Sequence, residues 1–441
     1  ERTGSFLLPE GRAFLVPHAG LVYSGTVAAS VYRHIERQRP RSVIAAGFAH
    51  HGAPGGVWIP EVEVYRTPLG DMAVDGGLAK RLASTGGFRT ISEARVCDHS
   101  VEIQIPLLQK AVPDARIVPL YVSSMSAAAR AEAASHLAEC LTPETVLIAS
   151  SDLTHFGGAF GYVPFPADAA AGERLRRLDF EVLEATGSLR EDLFLETLDQ
   201  TGATVCGRDP VALMLAAVRR IEPEREIFQS VLDYQTSGEI TGDFHHSVSY
   251  GAAGYFPYTS FALSPEEQSV ALGLARGTLA AYLETGREEA AAAPPTGFPG
   301  LRRRAALFVT LHKNGELRGC LGQIAGREPL EETIPQMTLA AALDDPRFDP
   351  VSRGEEGITI EISILTPFKR IVSRKDFRPG QHGALLKARG RQGLLLPQVA
   401  SELGWDARQF FDALAAKAGV PVSVYEEPET RLFVFRAQII H

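Results

Sequence analysis

The first 260 residues alternate short apolar runs with segments of helical period, and that succession restricts this part of the chain to an α/β layer around a largely buried sheet. Arg12 to Val16 is an apolar run that stops at Pro17. Ser24 to Gln38 carries Val27, Val31, Tyr32 and Ile35 at helical spacing, with Ser24 placed to cap the helix. Ser42 to Phe48 is a second run and leads into His50 and His51, while Ile117 to Val122 and Val146 to Ser150 are further β-type runs. Ala167 to Thr186 and Pro210 to Ile221 are helix candidates among the later strands.

Between residues 258 and 263 the pattern breaks. Ser264-Pro265-Glu266-Glu267 then combines a serine cap, a proline at the first helical position and a glutamate three residues after the cap, which starts a helix that Thr285-Gly286 closes. The Ala- and Pro-rich stretch 290–299 reads as a loop. Leu307 to His312 and Glu316 to Ile324 flank Asn314-Gly315, a type I′ hairpin pattern. Ile358, Ile360, Ile362 and Ile364 alternate with Thr359, Glu361 and Ser363, as a half-buried strand does. Leu385 to Lys387 and Leu394 to Leu396 flank a Gly-containing turn, before a helix at Ala407 to Ala418 and a strand at Leu432 to Ile439. Two domains are therefore expected: an α/β domain over 1–260, and an α+β domain with mainly antiparallel strands over 261–441.

A length of 441 residues exceeds one ordinary core, and 45% apolar with 22% charged residues is a globular balance. The net charge of -9 argues against a nucleic-acid surface; the one tight basic run, Arg302 to Arg304, reads as a solvated strand entry. No stretch reaches the roughly 18 apolar residues of a membrane span. The first residues lack a signal-peptide layout, and a start at Glu1 implies that the initiating residue is missing or processed. Cys97, Cys140, Cys206 and Cys320 form no C-x-x-C pair, which fits reduced thiols in a cytoplasm.

Four histidine-bearing motifs stand out in the first domain: PHAG (His18), AHHG (His50, His51), DHSVEIQ (His99) and SSDLTHFG (Asp152, His155). Three of them follow a β-type run directly, and ligands of α/β sheets gather beyond the carboxyl ends of strands. A lone histidine at a strand end is usually a hydrogen-bonded structural residue, but four such motifs in one domain favour a shared site able to hold a metal. His50 and His51 cannot both point into it if extended, because neighbours alternate faces.

PHAGLVYSG, GFAHHG, DHSVEIQIPLLQ, SSDLTHFG, CGRDPVALML and HHSVSYGAAGYF, in that order over residues 12 to 257, resemble the successive blocks of the Memo family. The resemblance implies a fold similar to the class III extradiol (LigB-like) dioxygenases, whose iron is held by two histidines and a carboxylate. It makes His18 and His50 the imidazole ligands and Cys206 a thiolate in place of the carboxylate. It puts His155 in the place of the acid–base histidine, Asp152 beside it in the pocket wall, and His99 and His51 either behind the ligands or facing substrate. A substrate is then expected to reach the cleft near Tyr23, His51 and His99. A thiolate favours Fe(II), with copper or zinc as alternatives, over Mg or Ca. Cys206 precedes a helix, whose N-terminal dipole would favour the thiolate; the plainer reading is a small buried residue opening that helix.

In the second domain, LRGCLG (Leu317 to Gly322), DPRFDPV, IEISILTPF and ELGWDARQF resemble the AMMECR-type domain over 263–441. Cys320 is either a reactive thiol beside Arg318 or a buried strand cysteine whose glycines permit close backbone packing. Where relatives carry a further cysteine near the last helix, this chain has Ala415 and Ala416. The two resemblances together imply the AmmeMemoRadiSam system, with a radical-SAM protein as partner. The expected function is a non-haem metal-dependent oxidoreductase acting on a small molecule or peptide. The alternatives are a non-catalytic peptide- or ligand-binding scaffold and a zinc-assisted hydrolase.

Overall fold

The computed structural model describes residues 7–50, 52–92, 96–288 and 297–441. Chain contacts divide at Ser260–Phe261 into two compact units. No described helix is long and apolar enough to cross a membrane.

The N-terminal unit contains, in order, β1 (Ala13–Val16), α1 (Leu21–Gln38), β2 (Ser42–Phe48), β3 (Gly56–Pro60), β4 (Val64–Thr67), β5 (Gly70–Ala73), α2 (Gly76–Ala83) and β6 (Phe88–Ile91). There follow α3 (His99–Glu102), α4 (Gln104–Ala111), β7 (Arg116–Ser123), α5 (Ala127–Cys140), β8 (Thr145–Ser150), β9 (His155–Gly157), α6 (Ala171–Gly187) and α7 (Glu191–Thr201). It ends with α8 (Arg208–Arg225), β10 (Ile227–Thr236), α9 (Ser237–Thr241) and β11 (His246–Pro257).

One mixed sheet runs β10-β11-β1-β8-β2-β7-β3-β6, with β9 paired to β11. Its centre, β1, β8, β2 and β7, is parallel, and β11 and β3 close it in antiparallel fashion on either side. These central strands are apolar on both faces because helices cover them: Val43 to Ala45, Val146 to Ala149 and Ile117 to Val118 are fully buried. Helix α8 packs on β8, β7 and β2, and α1 on β1, β10 and β11. Helix α1 begins a turn earlier than the apolar spacing suggests, capped at Gly20; Ser24 lies inside it and its Oγ donates to Ala19 O at 2.7 Å.

The C-terminal unit is α+β. Helix α10 (Pro265–Thr285) starts in a complete capping box, Ser264 with Glu267, and stops at the left-handed Gly286. It precedes the hairpin β12 (Leu307–Lys313) and β13 (Glu316–Gln323), whose Asn314 and Gly315 have φ of 53° and 88°. Next come α11 (Leu330–Leu343), β14 (Ile358–Leu365), β15 (Lys369–Ile371), β16 (Gly383–Ala388) and β17 (Arg391–Leu395). The chain continues with α12 (Pro397–Leu403), α13 (Ala407–Ala418), β18 (Arg431–Phe435) and β19 (Ala437–Ile440).

Two four-stranded antiparallel sheets form, β13-β12-β14-β19 and β15-β18-β16-β17. Leucines of α10 and Ile334 of α11 pack with Val309, Ile360 and Ile362 of the first sheet, while Phe410, Phe411 and Leu414 of α13 pack with Ala384 and Leu386 of the second. Leu365, Leu385, Phe433 and Phe435 fill the space between the sheets. That second layer buries both faces of β14: Ser363 is fully buried and Glu361 nearly so, both bonded by Gln398 Nε2. The strand read from Leu432 to Ile439 is divided at Arg436, whose backbone exchanges hydrogen bonds with Thr366, so its halves serve different sheets.

A histidine–cysteine cluster at the carboxyl edge of the central strands

Because β1, β8 and β2 are adjacent and parallel, the residues that follow them emerge at one edge: His18, Ser151 with Asp152, and His50. The turn before α8 brings Cys206 to the same place. A Cβ on Gly207 would lie 2.3 Å from Ser151 Cβ, so only glycine lets this turn approach so closely. One side-chain ligand atom from each of His18, His50 and Cys206 lies within 4.8 Å of the others. Asp152, His155 and Cys206 form an overlapping set on the same criterion, as do His50, Asp98 and His99. Cys206 Sγ is 3.1 Å from His18 Nε2, and the His18 ring packs edge-on to those of His50 and His99 at 5.3 and 5.4 Å.

Surrounding groups decide which ring nitrogen is available. His50 Nδ1 meets Asp98 Oδ1 at 2.9 Å, and a carboxylate can only accept, so Nδ1 carries the proton and Nε2 keeps its lone pair. Asp98 also accepts from the backbone N–H of His50 and of Ser100, and its Oδ1 lies 3.3 Å from His99 Nδ1. Burial opposes ionisation of Asp98, but the Ser100 N–H and His50 together hold it below the usual carboxylate range. His155 Nδ1 donates to Leu153 O and Thr204 O, both at 3.1 Å, again leaving Nε2 free. Burial lowers His18 to about 4 although Asp152 opposes it, and Asp152 Oδ1 accepts from the backbone N–H groups of His18 and Ala19. Burial pushes the Cys206 thiol up to about 12, with the Asp152 carboxylate adding to it. Desolvation thus outweighs the helix N-terminus expected to favour the thiolate, and a cation binding here displaces a proton.

This donor set fits a soft or borderline divalent metal: imidazole nitrogens with free lone pairs, a sulfur within reach, and a carboxylate behind one ligand. His99 is mostly exposed and stacks on His50 at 4.6 Å. Tyr23 is exposed in the first turn of α1, beside exposed Leu21 and Val22, and Phe160 meets the His155 ring at 5.2 Å. His51 lies outside the described residues. Two further residues of the site, Asp98 and Asp179, are not singled out by the motifs as ligands or supports. Asp179 on α6 is fully buried, accepts from Thr154 N–H and Oγ1, and receives the Tyr234 hydroxyl at 2.7 Å, which anchors the loop carrying His155. A charged residue within the apolar face of α6 is the signal that points to it.

In the C-terminal unit, Cys320 and Arg318 are not brought together by hydrogen bonds. A bulge at Arg318 turns its guanidinium onto Glu355, at 2.9 and 3.1 Å, and onto Asp349 O. The guanidinium at Cys320 is that of Arg347, which donates to Cys320 O at 3.3 Å while paired with Asp345 at 2.6 Å. Asp345 accepts the Cys320 N–H, and Thr310 Oγ1 donates to the sulfur at 3.3 Å. A Cβ on Gly319 would lie 2.1 Å from Ala341 O, so this glycine admits the backbone of α11.

A family model described as Memo-like protein matches residues 7–254, and one described as AMMECR1 matches residues 272–440. A Methanobrevibacter smithii protein described as a MEMO1 family protein is 33% identical over 247 residues, 55% of this chain and 82% of that one. Protein MEMO1 of Xenopus laevis is 32% identical over 253 residues, 55% of this chain and 84% of that one. The crystal structure of uncharacterized protein PH0010 from Pyrococcus horikoshii covers 40% of this chain and 92% of its own, at 32% identity and a TM-score of 0.38.

Proposed function

Since this chain belongs to the Memo family and carries an AMMECR1 domain, we propose that its N-terminal domain is a metal-dependent oxidoreductase whose iron is held by His18, His50 and Cys206. The observation that carries this reading is the convergence of those three ligand atoms within 4.8 Å at the ends of adjacent parallel strands, with His50 Nδ1 already committed to Asp98. Iron bound there would supply one-electron redox chemistry and would polarise a coordinated substrate atom. Copper would serve the same redox role, whereas zinc would point to hydrolysis. His155 takes or gives a proton at Nε2, since its Nδ1–H is held by two carbonyls. Leu21, Val22 and Tyr23, exposed just after His18, and Phe160, exposed at the His155 ring, would offer an apolar rim to a small-molecule or peptide substrate. The AMMECR1 domain then presents that substrate or holds a radical-SAM partner, a role inferred from family association alone. The same exposed rim supports a second reading, a scaffold that binds its ligand without turnover.

Elemental analysis of anaerobically purified protein tests this. Near-stoichiometric iron or copper, lost in both His18→Ala and Cys206→Ala, is the expected result, and oxygen-dependent turnover is then the next assay. Sub-stoichiometric metal unchanged by either substitution overturns the reading in favour of the scaffold. Stoichiometric zinc overturns it in favour of the hydrolase.

A further inference from the structure

His18 has a second ring nitrogen, and what faces it is a buried chain of hydrogen bonds running to Tyr32. The Tyr32 hydroxyl donates to Gln104 Oε1 at 2.6 Å. Gln104 Nε2 reaches Pro17 O at 3.0 Å and Ser150 Oγ at 2.9 Å. A carbonyl only accepts, so the orientation of the Gln104 amide is settled by Pro17. Ser150 Oγ in turn lies 2.5 Å from Ser100 O, another pure acceptor, and the single hydroxyl proton must lie between them. Two lone pairs remain on Ser150 Oγ. One faces the Gln104 N–H, and the other faces His18 Nδ1 at 3.1 Å.

Ser100, Gln104 and Ser150 are fully buried, which excludes solvent as an alternative partner. His18 Nδ1 can therefore meet Ser150 only by bringing the proton itself. With Nδ1 protonated, the neutral ring carries its lone pair on Nε2, the atom 3.1 Å from Cys206 Sγ. An imidazole in water prefers the opposite arrangement, with the proton on Nε2. The inverted tautomer would put a hydrogen where a cation must bind, and would require either Ser150 to abandon Ser100 O or two lone pairs to face each other.

We propose that Ser150 is a positioning residue that locks His18 in the Nδ1–H tautomer and so presents its Nε2 lone pair to Cys206 and His50. The lock is a property of the metal-free chain; only its benefit to metal affinity rests on the function proposed above.

The test uses the full-length metal-free protein labelled with 15N-histidine, read by long-range 1H–15N correlation at pH 7.5, with His18 assigned by its absence in His18→Asn. Wild type should show a protonated Nδ1 and a bare Nε2. Ser150→Ala should populate the Nε2–H form, and Ser150→Thr, which keeps the hydroxyl, should restore the wild-type pattern. An Nε2–H tautomer in wild type overturns the proposal without recourse to any variant, and so does a Ser150→Ala spectrum indistinguishable from wild type. If metal binds, Fe(II) affinity should fall roughly 10- to 100-fold in Ser150→Ala and recover in Ser150→Thr, the usual effect of losing a partner behind a histidine ligand. A tautomer that responds as described in a protein that takes up no metal supports the lock and refutes the oxidoreductase reading, so the two fail separately.

Discussion

Burial of neutral His18 makes the stability of the N-terminal domain depend on pH in a calculable way. The native imidazole titrates near 4 against an ordinary value of 6.5. Well above pH 6.5, from about pH 7.5, both folded and unfolded chains hold it neutral and it contributes almost no pH dependence. As pH falls below 6.5 the unfolded chain takes up a proton that the folded chain refuses, so stability is lost with acidification, and the loss levels off below about pH 4. At pH 5.5 the loss from this group is about 1.4 kcal/mol, and by pH 4 it approaches about 3 kcal/mol. Urea unfolding of the metal-free protein between pH 5.5 and 7.5 measures it. Trp58 and Trp405 are the two tryptophans, so a Trp405→Phe background leaves Trp58 as the reporter of the N-terminal domain. His18→Gln, which cannot titrate, is the reference: titrating groups away from the cluster, such as buried His34, remain in both proteins and cancel. The difference in unfolding free energy between the two proteins should shift by about 1.4 kcal/mol over this range, with wild type losing more on acidification. Parallel pH profiles would refute the reasoning.

Two further outcomes follow from other contacts. Asp98→Asn removes the carboxylate behind His50 while preserving shape; metal affinity should drop roughly 10- to 100-fold with near-UV circular dichroism unchanged, and an unaltered competition titration would count against His50 as a ligand. Gly319→Ala drives a methyl group into Ala341 O and should destabilise the C-terminal domain by about 1–3 kcal/mol, read as a lowered thermal midpoint; an unchanged midpoint would mean that α11 does not pack as described.

Much of the fold is legible in the order of the amino acids alone. Apolar runs ending at Pro17-His18, at His50 and at Ser150 announce strands whose ends carry chemistry, and Ser264-Pro265-Glu266-Glu267 announces a helix start, because both signals are local. What cannot be read in this way is what depends on partners remote along the chain. Asp98 acquires meaning only when folding sets it beside His50, and Gln104 looks like any helical glutamine until Tyr32, Pro17 and Ser150 surround it. Adjacency along the strand suggests Arg318 as the partner of Cys320, but a bulge re-aims it at Glu355, and bulges leave little trace in composition. The division of the last strand at Arg436 is equally silent, since both halves are apolar and each joins a different sheet.

The position of β1 in its sheet also sets an order in time. Among the described residues it is the first strand of this unit, yet it is sandwiched between β8 and β11, the unit's last described strand, which ends at Pro257. During synthesis at roughly 5–20 residues per second, the strand leading to His18 thus waits on the order of ten seconds or more for its second neighbour to emerge. Cys206 is itself 188 residues downstream of His18. An emerging chain therefore exposes His18 and His50 long before Cys206 can join them, and any metal that the proposed site takes up would be held in full only after the whole domain has left the ribosome.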